Sequence, residues 1–106
     1  MIPVEDVQEL RDVCNLVKQI SSGLRCDVDK KRKRIALAPS MGTIALLTSR
    51  RIGPALLGAA QFQELLEHVM KVLEEVHGIK LVFDGSSTAA ALVGVPIYYY
   101  RVFKTR

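Results

Sequence analysis

The 106 residues carry 49% hydrophobic and 25% charged side chains, a composition that excludes a disordered chain and suits a single domain around one core. Fifteen basic residues against eleven acidic leave a net charge of +4, which favours anionic partners. No apolar run approaches the roughly 18 residues of a membrane span, and Glu5, Asp6, Glu9 and Asp12 stand where a secretory leader needs basic and then apolar residues.

The expectation is therefore a cytoplasmic protein without membrane contact. Cys14 and Cys26 lack CxxC spacing and read, in that compartment, as two buried thiols rather than a disulfide. A single Asn (Asn15), no Trp and a bias to Leu, Val, Ile, Glu, Lys and Arg lean towards a thermophilic source, although four Gln and three Met count against it.

In chain order, Pro3 suits the first turn of a helix whose dipole Glu5 and Asp6 complement. Val4, Val7, Leu10, Cys14, Val17 and Ile20 form its apolar stripe, and Ser21-Ser22-Gly23 ends it. Leu24–Val28 predicts a strand, Asp29–Lys33 a charged turn, and Arg34–Ala38 a returning strand stopped by Pro39. After a Ser40-Met41-Gly42 turn, Thr43–Ser49 reads as a third strand, with a short helical turn as the alternative.

Arg50–Pro54 connects to the longest element. Ala55–Ala60 forms its first turns, and over Gln61–His77 the residues Phe62, Leu65, Leu66, Val69, Val72, Leu73 and Val76 recur at three- and four-residue steps. Gly78 fits a left-handed C-cap. Ile79–Phe83 predicts a buried strand, Asp84–Thr88 a loop, Ala89–Val93 a short helix closed by Gly94, and Ile97–Phe103 a last strand with three consecutive tyrosines.

The order α-β-β-β-α-β-β, with the short helix before the last strand, does not alternate as a doubly wound sheet does. It predicts one α+β domain over residues 1–106. The architecture is a two-layer sandwich, in which a mainly antiparallel sheet of about five strands lies under two main helices on one face.

Charge is divided by region. Residues 1–29 carry three basic and six acidic groups, 30–51 seven basic and none acidic, 52–78 one and four, and 79–106 four and one. The helices are acidic and the strand regions basic, and nucleic acid is the commonest partner for that polarity. Lys30, Lys31, Arg32, Lys33 and Arg34 at a hairpin tip are the strongest candidates for phosphate contact, with Arg50, Arg51, Arg101 and Lys104 as further basic groups. The competing reading of such a run is a solvated turn.

Tyr98 and Tyr100 share one face of the last strand and Tyr99 and Arg101 the other, so Tyr98 and Tyr100 are candidates for stacking on bases. The commoner use of such tyrosines is in a core or a dimer interface. Apolar groups on both faces of that strand point to a homodimer, and a structural or regulatory protein–protein module is the rival to nucleic-acid binding. A third reading is a small enzyme or anion sensor centred on Asp84–Thr88, where loop N–H groups before a helix could hold an anion.

Asp27, Asp29 and Asp84 could together attract Mg²⁺, but no ExK or HExxH pattern accompanies them. Tyr100 and Lys104 have the YxxxK spacing of rolling-circle nicking enzymes, yet His68 and His77 are nine apart rather than separated by one residue. This sparse inventory points away from an enzyme, and no cofactor or metal is expected.

Overall fold

The computed structural model describes residues 1–40, 54–87 and 97–105, with 54–61 as backbone alone. The elements are β1 (Ile2–Pro3), α1 (Val7–Ile20), β2 (Leu24–Asp29), β3 (Arg34–Pro39), α2 (Pro54–His77), β4 (Ile79–Ser87) and β5 (Ile97–Lys104). The strand expected over 43–49, the helix over 89–93, and Arg50 and Arg51 lie outside the described residues.

Asp6 decides where α1 begins. Its backbone is extended and its carboxylate accepts the Glu9 N–H at 3.1 Å, an N-cap that satisfies one of the otherwise unpaired first-turn donors. Pro3 is thereby left outside the helix, contrary to expectation. It sits in β1, where Ile2 and Pro3 oppose Lys104 and Phe103 and the Val4 N–H donates to the Val102 carbonyl at 2.8 Å. A proline without an N–H is tolerated on a short edge strand.

All strand pairings are antiparallel, in the order β4-β5-β3-β2, with β1 against the end of β5 beyond β3. The architecture is therefore the expected α+β sandwich: five strands and two helices among the described residues. One of those five strands is the two-residue β1, which no sequence pattern announced.

The register places Leu24, Cys26, Ile35, Leu37, Tyr98, Tyr100, Val102, Ile79 and Leu81 on one face of the sheet. Both helices cover that face: Leu10, Val13, Cys14 and Val17 from α1 join Phe62, Leu66, Val69 and Leu73 from α2 in one core. Val76 departs from the expected stripe and is 70% exposed, because the last turn of α2 is followed at once by Gly78 and the turn into β4. Gly78 has φ 65°, and its carbonyl accepts both the Thr105 N–H at 2.9 Å and the Thr105 hydroxyl at 3.0 Å.

Two further expectations are corrected. Cys14 and Cys26 are joined in a disulfide between α1 and β2. Both stripes point inward and bring the Cα atoms to 5.3 Å, within bridging range, a closeness that the sequence spacing alone does not show. The segment Asp84–Ser87 is strand rather than loop, since Ser86 and Ser87 pair with Tyr98 and Ile97 across a bulge after Phe83. Gly85, at φ 122°, supplies the backbone conformation the bulge needs. Among the described residues no helix is long and apolar enough to cross a membrane.

Candidate polyanion-binding surface

The β2–β3 hairpin closes on the pair Asp29–Arg34, and the four residues between them form its turn. Asp29 organises the turn from below. One carboxylate oxygen accepts the Lys31 N–H at 3.2 Å and, at the limit of 3.5 Å, the Arg32 N–H, while the other accepts Arg34 Nε at 2.9 Å. The Arg34 hydrogen bond holds the Asp29 carboxyl below its ordinary value; partial burial opposes this, and the Arg32 and Lys31 N–H groups add to it.

Lys30, Lys31, Arg32 and Lys33 all project into solvent, Lys33 with a left-handed backbone at φ 54°. Among the described residues none of these four cations pairs with a carboxylate. The next basic residue behaves differently. Arg34 is 8% exposed and lies on the sheet face opposite the helices, its guanidinium carbon 3.9 Å above the Tyr99 ring. Its Nη1 donates to the Asp84 carbonyl at 3.0 Å and to the Asp84 carboxylate at 3.2 Å. The bulge in β4 aims both of these oxygens at Arg34.

Asp29 and Asp84 do meet, as a metal-site reading required, but around a guanidinium. Asp27 is taken by Arg25 at 3.0 Å. The three carboxylates are thus anchors for arginines. Arg34, expected to contact phosphate with its neighbours, is instead a fastening between the hairpin and β4.

The tyrosines divide as their alternation requires. Tyr98 stacks on Phe62 of α2, with centroids 5.4 Å apart and planes within 5°, and Phe83 meets Tyr98 and Tyr100 edge-on. Tyr100 is buried, which pushes its hydroxyl pKa up, with a smaller contribution from Tyr98. Both expected base-stacking rings are therefore turned into the helix–sheet interface. Tyr99 and Arg101 occupy the outer face, Arg101 exposed, while exposed Lys104 reaches Glu9 at 3.6 Å.

A second basic feature adjoins the tip. An open groove of about 500 Å³ runs between α1 and β2, with Gln8, Arg11, Asn15 and Lys18 on the helix side and Asp27 and Lys30 on the strand side. Arg11 and Lys18 do not stand out from the sequence because residues 1–29 are acidic as a whole. Their place beside Gln8 and Asn15 at three- and four-residue steps is the signal that could have revealed them.

No family model, curated protein or solved structure matches this chain.

Proposed function

We propose that this protein binds a polyanion, nucleic acid foremost, through the hairpin tip Lys30, Lys31, Arg32 and Lys33. The observation that supports the reading is the density of uncompensated charge: four consecutive exposed cations on one ordered turn, with Asp29, the nearest carboxylate, directed at backbone N–H groups and Arg34. Such a turn gains affinity from each phosphate it neutralises, through counterion release rather than base reading. Arg101 on the outer face, and Arg50 and Arg51, extend the proposed contact set. Arg34, Tyr98 and Tyr100 are not carried into it.

The test is binding of mixed DNA and RNA at low salt, where this attraction is strongest. Replacing Lys30, Lys31 and Lys33 with Ala is expected to weaken all sequences alike and to flatten the plot of log affinity against log salt on duplex DNA by about 2.7 units, about 0.9 for each phosphate contact. A wild-type protein that binds neither DNA nor RNA at low salt defeats the reading.

Self-association is the second reading, favoured by the sheet face opposite the helices. There Ala36, Ala38, Ile97, Tyr99, Val82 and Phe103 interleave with Arg101 and Lys80, and Val82 is 37% exposed. Light scattering that gives the 11.8 kDa monomer mass at all concentrations would exclude a homodimer. The proposal places the protein in the cytoplasm of a thermophile, where the disulfide is compatible because intracellular proteins of hyperthermophiles are rich in them.

A further inference from the structure

We infer that the polyanion is a single-stranded nucleic acid whose phosphate chain passes from the hairpin tip along the groove between α1 and β2. This rests on the polyanion reading and adds to it a path and a strand class. Gln8, Arg11, Asn15 and Lys18 succeed one another at steps of three, four and three residues, so they share one helix face over about 15 Å. Lys30 both lines the groove and begins the tip, which makes Lys18, Arg11, Lys30 and the rest of the turn one strip of cations. Asp27, the one carboxylate lining the groove among the described residues, is engaged by Arg25 at 3.0 Å, and Asp12 on α1 accepts a hydrogen bond from Gln8 at 3.2 Å.

The shape selects the strand class. A duplex is stiff over about 150 base pairs and meets a protruding tip readily, whereas following the groove between a helix and a sheet edge requires it to bend at an energetic cost. A single strand bends at each nucleotide and can follow the groove. Among the described residues no aromatic side chain lines that path, so the strand is held by its phosphates, with the Gln8 and Asn15 amides as hydrogen-bonding partners, and binding is tolerant of base sequence. The Cys14–Cys26 bond joins the groove's two walls and keeps the strip in register with the tip.

Fluorescence anisotropy with labelled single strands of about 12 nucleotides, the matching duplex, and linear polyphosphate as competitor tests this. Wild-type protein is expected to prefer the single strand. The double variant Arg11→Ser, Lys18→Ser is expected to reduce the single-strand salt slope by about 1.4, about 0.7 for each phosphate. This corresponds to binding about 25-fold weaker at about 0.1 M salt, converging on wild type near 1 M, with duplex affinity unchanged. Arg11→Lys, Lys18→Arg should restore it, and circular dichroism should show both variants folded. If the double variant binds the single strand like wild type while the Lys30, Lys31, Lys33 triple variant is weakened, the groove path is overturned and the tip reading stands. If only polyphosphate binds, the nucleic-acid assignment is overturned. If wild type binds nothing at low salt, the tip reading falls as well.

Discussion

Lys33 and Arg34 are neighbours in one run of five cations, yet one points into water and the other is nearly buried between Tyr99 and two carboxylates. The boundary between them is where the turn ends and the β3 ladder begins. A charge in the turn meets no carboxylate among the described residues. A charge on the ladder has cross-strand neighbours, and here β4 delivers Asp84 to it. A basic run is therefore not one structural unit: the last residue holds the hairpin in place, and the first four have no carboxylate partner among the described residues.

If interior fastenings carry the fold and the tip carries none, the largest loss should come from the covalent one. Replacing Cys14 and Cys26 together with Ala is expected to cost about 3 kcal/mol for a loop of this size, read by urea denaturation without reductant. Next comes Arg34→Ala, expected to cost about 2 kcal/mol because Asp29 and Asp84 lose the donor between them, though both remain partly solvated. The triple tip variant should stay within about 0.5 kcal/mol of wild type in the same assay. Equal losses in Arg34→Ala and the tip variant would dissolve the distinction.

Acid titration sharpens it. The Asp29 carboxyl is lowered in the fold, so its contribution is present above the unfolded carboxylate value of 3.8 and is lost as pH falls through the folded one. Stability of wild type should therefore fall on acidification below about pH 4 by more than that of Arg34→Ala, in which the largest cause of the shift is gone. An effect of opposite sign belongs to Lys33. Lys33→Gly relieves a left-handed backbone and is expected to stabilise by up to about 1 kcal/mol, while removing one proposed phosphate contact. Rising thermal stability with a flatter salt dependence would show the two properties separating at a single residue.

Local pattern alone determined the two helices, the β2–β3 hairpin, the last two strands and the inward set Leu66, Val69 and Leu73. Each of these is a repeat of three to four or of two within a continuous segment, and burial of the apolar side follows from that period. The α+β class followed from the order of those segments. It also made the exposed tip legible, since four cations in a turn have no face to hide on.

Tertiary structure decided the rest, because those outcomes depend on contacts between distant segments. Ile2 and Pro3 become strand only because β5 offers an edge there, and Asp84–Ser87 only because β5 continues past the bulge. Tyr98 and Tyr100 face inward rather than outward because Cys26 and Leu37 set the parity of the whole ladder. Cys14 meets Cys26 because α1 lies over β2, which also places Arg11, Lys18 and Lys30 along one groove. Arg34 meets Asp84 across fifty residues of sequence, a pairing that only the folded sheet can specify.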